Sequence, residues 1–271
     1  MNRVSSLFAV LALLAAGSLA PAQAANILIV AGTDGIAQTA AGNLNTDLTT
    51  VGNTVTVVNT GVPASLTGYT QIYDVRYNNL PAFTSGEMAQ YLAFLNAASG
   101  NTIFLMGENT SFNQRNGPIN QFIALAGGGT IAVPASLSSA SETVNPPFTG
   151  PNSITTVKFA ACGLVTSPGN GSFASQEAGG GCALFFDQNR LTNALTGALV
   201  VVYDVNFAYD APLYGVNEIP FRKNMEAFAS SPPVGPPVTS AVPALTTWGQ
   251  ILLALALCGI GVIFIRRRVF V

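Results

Sequence analysis

The chain has 271 residues, only ten of them Lys or Arg against twelve Asp or Glu, and no histidine. Between residues 25 and 229 all twelve acids face six bases, Arg76, Arg115, Lys158, Arg190, Arg222 and Lys223, a formal charge of −6. That balance excludes nucleic acid as a partner, since phosphate binding needs a basic surface, and the lack of histidine excludes every mechanism built on an imidazole base.

Asn2-Arg3 precedes an apolar run from Leu7 to Ala20, and Ala22-Gln23-Ala24 supplies a small-x-small cleavage site. Residues 1–24 therefore read as a secretory signal peptide, implying signal peptidase and the general secretion machinery as partners. The mature chain is expected to begin at Ala25, and residues 25–229 are long enough for one extracytoplasmic domain with a real core.

Residues 26–31 form a short apolar run that ends in Gly32-Thr33-Asp34-Gly35, a buried strand followed by a tight turn. Helical spacing through Ile36, Ala40, Leu44 and Leu48 predicts a helix over 36–51, and strands follow at 54–58 and 69–75. Thr84-Ser85-Gly86-Glu87 opens a helix in capping-box style, with either Thr84 or Ser85 as the cap. A strand at 102–106 runs into Gly107-Glu108-Asn109, and a helix at 120–126 stops at Gly127-Gly128-Gly129. The Pro-, Ser- and Gly-rich stretch 134–181 reads as an irregular insertion. Strands at 183–186 and 198–203 and a helix at 219–229 close the domain. This order predicts an α/β fold with a mostly parallel sheet flanked by helices.

Cys162 and Cys182 flank a Gly- and Ser-rich segment and are expected to pair in an oxidising compartment. The competing role, a nucleophilic cysteine, lacks a base to generate thiolate. The carboxyl ends of parallel strands are where ligands bind in such folds, and here they present Asp34, Arg76, Glu108 and Asn109 as a candidate ligand cleft, with Asp187 and Asp204 after later strands. Asp34 and Glu108 suit Ca²⁺ coordination, or an acid–base pair for sugar hydrolysis; the plain alternative is that they cap helices and satisfy turn amides. Arg115 and Asn116 either shape the same cleft or make polar surface contacts. No other cofactor is implied.

After a Pro-rich linker at 230–241, the tail reads Val242-Pro243-Ala244-Leu245, then Trp248-Gly249, then an apolar run to Ile265 stopped by Arg266-Arg267-Arg268. Residues 248–265 would span about 27 Å as a transmembrane helix, with the arginines cytoplasmic. The plain reading of this span is a permanent anchor, which hydropathy alone neither favours nor disfavours. Pro243, Leu245, Trp248 and Gly249, with Val242 and Ala244 as departures, resemble the IPTL-CTERM sorting signal of Gram-negative bacteria. Over residues 242–271 the resemblance implies recognition by an exosortase-type transpeptidase that removes the tail.

Residues 26–229 resemble the class I glutamine amidotransferase-like superfamily, a flavodoxin-like α/β arrangement. The match lies in Tyr73-Asp74-Val75-Arg76, the helix from Ser85, and Thr102-Ile103-Phe104-Leu105-Met106-Gly107-Glu108-Asn109. Catalytic members carry a cysteine on the turn after the last of these strands, served by a histidine; here that turn reads Gly107-Glu108-Asn109-Thr110-Ser111, with no cysteine, and the chain has no histidine, so the amidotransferase reaction is not implied. Three functions remain open: an exported, non-enzymatic cell-surface or extracellular-matrix protein that binds a surface polysaccharide or another surface component, a secreted carboxylate-dependent hydrolase, and a permanently anchored periplasmic scaffold.

Overall fold

The computed structural model describes residues 24–209 and 217–230. Residues 1–23 of the expected signal peptide, the expected linker from residue 231 on and the expected sorting tail lie outside the described residues. Nine strands form one sheet, in the order β2-β1-β3-β4-β9-β8-β7-β5-β6. They are β1 (Asn26–Val30), β2 (Thr54–Val58), β3 (Gln71–Asp74), β4 (Thr102–Met106), β5 (Ala135–Val144), β6 (Thr156–Leu164), β7 (Ser172–Glu177), β8 (Gly180–Phe186) and β9 (Ala198–Val202). The helices are α1 (Gly35–Thr50), α2 (Ser85–Ala97), α3 (Asn116–Leu125), α4 (Asn206–Tyr209) and α5 (Glu218–Ser230), with a 3₁₀ segment at Thr110–Arg115.

Side chains alternate between the two faces of a strand, and the cores on either side of the sheet follow that period. Ile27, Ile29, Tyr73, Phe104, Met106, Val200 and Val202 pack with Leu44 and Leu48 of α1 and Phe221 and Met225 of α5. Leu28, Val30, Ile72, Ile103, Leu105, Leu199 and Val201 pack on the other face with Met88, Tyr91 and Leu95 of α2 and Ile119, Phe122 and Ile123 of α3. Covering both faces explains why β1, β4 and β9 read as continuous apolar runs. Asp34 caps α1, its Oδ1 accepting from the N–H groups of Ile36 (2.9 Å) and Ala37 (3.1 Å). Thr84 rather than Ser85 caps α2: its Oγ1 accepts from Glu87 N–H at 3.2 Å, and Glu87 Oε2 accepts from Thr84 N–H at 3.1 Å.

The expectation of a mostly parallel, flavodoxin-like or amidotransferase-like sheet is corrected by the strand pairings. β2, β1, β3, β4 and β9 pair in parallel, but β9–β8, β8–β7, β7–β5 and β5–β6 are all antiparallel, so the sheet is mixed. The expected C-terminal transmembrane helix is also not found: among the described residues no helix is long and apolar enough to cross a membrane, and residues 248–265 lie outside them. The segment 134–181 is likewise not irregular, because it holds β5, β6 and β7. The inward positions of β5 are Ala140, Glu142 and Val144, set among serines, so the strand carries little hydrophobic alternation to read.

The antiparallel half curls back on itself. Beyond the end of β6, Val165 and Gly181 exchange both backbone hydrogen bonds (2.9 and 3.0 Å), and Gly163 N–H donates to Tyr203 O at 2.8 Å. Gly180 sits at φ 157°, and a Cβ there would overlap the Val165 carbonyl; only glycine allows this approach. The Cys162–Cys182 disulfide, with Cα atoms 5.7 Å apart, closes the curl.

Candidate functional site

The carboxyl edge of the parallel strands gathers Asp34 after β1, Arg76 and Tyr77 after β3, Glu108 and Asn109 after β4, and Asp204 after β9. Asp34 is half-buried; burial, then the nearby Asp34 and Glu108 carboxylates, push the Tyr77 phenol up to about 12. Asp34 and Glu108 therefore lie around a common aromatic residue, one the sequence reading did not single out. Its one signal was position, three residues beyond the strand that ends in Asp74.

Glu108 is 2% exposed. Its Oε1 accepts from Asn109 N–H (2.8 Å) and Asn109 Nδ2 (2.9 Å), and its Oε2 accepts from Val205 N–H (2.8 Å). Asn116 holds its backbone, accepting from Glu108 N–H at 3.0 Å and donating to Glu108 O at 2.6 Å. Burial, reinforced by neighbouring Asp204, pushes the Glu108 carboxyl up to about 7 against the pull of these donors. Asp204 accepts from the N–H groups of Ala160 (2.8 Å) and Asn206 (2.9 Å). Asn109 also donates to Ala161 O at 3.0 Å and caps the 3₁₀ segment through Ser111 N–H at 2.8 Å. The edge is thus a set of carboxylates and amides that bond chiefly to the protein's own backbone.

Arg76 points inward. Its Nε and Nη2 grip Asp74 at 2.9 and 2.7 Å, and its Nη1 reaches Glu87 at 3.1 Å and Pro81 O at 3.2 Å. Arg115 joins the same Asp74 oxygen, donates to Asn79 Oδ1 at 3.1 Å, and lies 4.4 Å over the Phe83 ring. Tyr91 donates its hydroxyl to Asp74 at 3.0 Å. Two guanidinium groups thereby face two carboxylates in a buried, charge-balanced cluster. Burial alone would raise the Asp74 carboxyl, but Arg115 and Arg76 outweigh it and hold it at about 2. The sequence signal was present in Asp74-Val75-Arg76, two charges bordering an apolar strand.

Asp187 follows β8 and pairs with Arg190 at 3.4 Å on the surface. Arg190 helps line a polar pocket of about 460 Å³ with Gly169, Asn170, Gly171, Asn189 and Thr192. The glycine triplet after α3 builds this pocket: Asn170 N–H donates to Gly128 O (2.8 Å), Asn170 Nδ2 to Gly127 O (2.9 Å), and Thr192 Oγ1 to Gly127 O (3.4 Å). Gly127 adopts φ 86°, and a Cβ there would overlap Thr192. A second, mostly apolar groove of about 540 Å³ runs between residues 64–70 and the exposed side of α2.

Among the described residues, the one group of three ligand-bearing side chains close enough to share a metal ion is Glu142, Cys162 and Cys182. It includes neither Asp34 nor Glu108, the residues suited by sequence to Ca²⁺, and its two sulfurs are joined to each other.

No protein-family model matches the chain, and no curated protein matches it by sequence. Solved structures do share its fold. The mmIFT52 N-terminal domain is 14% identical with a TM-score of 0.59, over 76% of this chain and 97% of that one. A cytoplasmic protein from Salmonella typhimurium LT2 is 10% identical with a TM-score of 0.54, over 76% and 100%. Another cytoplasmic protein from Salmonella typhimurium is 8% identical with a TM-score of 0.51, over 75% and 98%. At such identities the likeness is one of fold alone.

Proposed function

We propose that the chain is an exported protein of the cell surface or extracellular matrix, whose domain binds a surface polysaccharide and carries out no catalysis. The observation that carries this reading is the buried Cys162–Cys182 cross-link, a bond that persists in oxidising compartments outside the cytoplasm. It agrees with the export signal at one end and the sorting motif Val242 to Gly249 at the other. A start at Ala25 fits the packing as well, because the Ala25 nitrogen already donates to Asn53 Oδ1 at 2.8 Å.

The binding half of the reading is supported by the contrast between the two polar regions. A carboxylate hydrolase needs a carboxyl aimed at substrate, whereas both Glu108 oxygens accept from protein N–H groups and Asp34 caps a helix. The pocket around Asn170, Asn189, Arg190 and Thr192 instead offers neutral amides, a hydroxyl and one guanidinium at the surface, the donors and acceptors that sugar hydroxyls need.

An exosortase-type transpeptidase is the partner this reading requires. Expression in the protein's own host with and without residues 242–271, followed by cell fractionation, tests it. Loss of surface localisation on truncation supports the proposal; the same location and mature mass for both forms contradicts it.

A further inference from the structure

We propose that Glu142 is the proton acceptor for closing the Cys162–Cys182 bond, a carboxyl placed inside the β5–β8 curl to deprotonate the second thiol during oxidation. Glu142 lies on β5, fully buried. Its Oε2 accepts from Ser175 Oγ of β7 at 2.6 Å and its Oε1 from the backbone N–H of Cys182 on β8 at 2.8 Å. A carboxylate oxygen and the two sulfur atoms lie mutually within 4.8 Å. The side chain is thus fixed beside one cysteine by that cysteine's own backbone and faces the other from across the curl.

Nothing in the charge balance explains a carboxyl here. Burying one without a cation is costly, and among the described residues Glu142 has no ion pair. The charged groups acting on it are Glu177 of β7 and Asp204 after β9, both acidic and both unfavourable. Burial, with these acids adding to it, pushes the Glu142 carboxyl up to about 7, against the lowering effect of the Ser175 hydroxyl and Cys182 N–H. A base of that strength lies near ambient pH and below a free thiol at roughly 8.5, which suits it to accept a thiol proton and release it again.

The chemistry balances with a disulfide-bearing oxidant, RSSR. One cysteine thiolate attacks RSSR, forming a mixed disulfide and releasing RS⁻, which takes up that cysteine's proton as RSH. The other cysteine passes its proton to the Glu142 carboxylate, and its thiolate attacks the protein-side sulfur. The Cys162–Cys182 bond forms, the second RS⁻ leaves, and it takes the proton back from Glu142. The two cysteines lose two electrons and the oxidant becomes two RSH. Both cysteines are buried once the curl is closed, so the oxidant reaches the first cysteine while the Val165–Gly181 pairing at its seam is open, and ring closure takes place with Glu142 in its folded position beside Cys182.

The test supplies its own oxidant and does not depend on where the protein is sorted. Full-length protein carrying C258S, which removes the chain's third cysteine, is reduced, desalted and mixed with glutathione disulfide between pH 5 and 9. Acid quenching and mass spectrometry separate the mixed disulfide from the closed form, giving the ring-closure rate. The proposal expects a wild-type rate that rises with a midpoint near pH 7. E142Q should close on the order of a hundredfold more slowly at pH 6 and approach wild type above pH 9. S175A, which keeps the carboxyl and removes a donor to its charged form, should move the midpoint to higher pH, and it carries the test if E142Q does not fold. Superimposable wild-type and E142Q profiles, or an unmoved midpoint in S175A, overturn the proposal.

Discussion

Arg115 binds the same oxygen of Asp74 that Arg76 holds at 2.7 Å, although Arg115 and Asp74 are 41 residues apart. The shared carboxylate joins the end of β3 to the 3₁₀ segment before α3, and through Glu87 to the first turn of α2. The network fixes three loops at the carboxyl edge of the sheet. Removing its centre leaves two buried guanidinium groups facing only Glu87, so D74A should cost about 3–5 kcal/mol of stability. Urea unfolding of D74A against wild type measures this, and a loss under about 1 kcal/mol would contradict the anchoring role.

Stability should fall as pH rises from acid toward neutral. Glu108 and Glu142 have carboxyls raised from 4.5 to about 7, so the folded state binds their protons more tightly than the unfolded chain does. Their contribution is complete below pH 4.5 and is lost as pH rises through about 7, on the order of 3 kcal/mol for each group. Asp74 has the opposite sign: held at about 2 against 3.8, it contributes above pH 3.8 and loses that contribution as pH falls through about 2. Maximum stability is expected near pH 4 to 5. Urea midpoints measured from pH 3 to 8 should show this maximum, and E108Q should flatten its neutral-side slope; a midpoint rising from pH 5 to 8 would contradict the assignment.

The disulfide spans 20 residues, and closing a loop of that size contributes on the order of 3 kcal/mol in the chain-entropy account. The C162A/C182A double variant should lose about that much. Its loss should concentrate in β6 to β8, where hydrogen exchange would report opening of the Val165–Gly181 seam before the parallel strands. Uniform loss of protection across all nine strands would show that the bond stabilises the whole domain instead.

The polar pocket offers a separation of binding from stability. Arg190 and Asp187 pair with side chains 55% and 50% exposed, and exposed pairs contribute at most about 1 kcal/mol. R190A should therefore unfold within about 1 kcal/mol of wild type while losing retention on immobilised surface polysaccharide from the host. Equal retention of R190A and wild type would remove this pocket as the binding site.

How far the fold was legible depended on what each strand buries. β1, β4 and β9 are covered on both faces, so every residue in Ile27–Val30 or Ala198–Val202 is apolar and the runs stand out. β5 buries Ala140, Glu142 and Val144 in a run of serines, and the pattern that betrays a half-buried strand is nearly absent. Missing β5 to β7 led to a mostly parallel sheet, because the antiparallel half is built from the segment that looks irregular. The same blindness applied to chemistry. Asp34, Glu108 and Asn109 were found by their place after strands, but a sequence does not show that Arg76 turns inward to Asp74. Nor does it show that Glu142, one charge in a polar stretch, lies against the disulfide whose cysteines were paired from the expected oxidising compartment.

The intact mass of the protein recovered from its own host tests the central claim most directly. The account predicts a chain that begins at Ala25, lacks the two thiol hydrogens of Cys162 and Cys182, and ends near the Val242–Gly249 motif without Arg266, Arg267 and Arg268. A mass equal to the full chain from Met1 to Val271 with free thiols would contradict export, oxidation and sorting together.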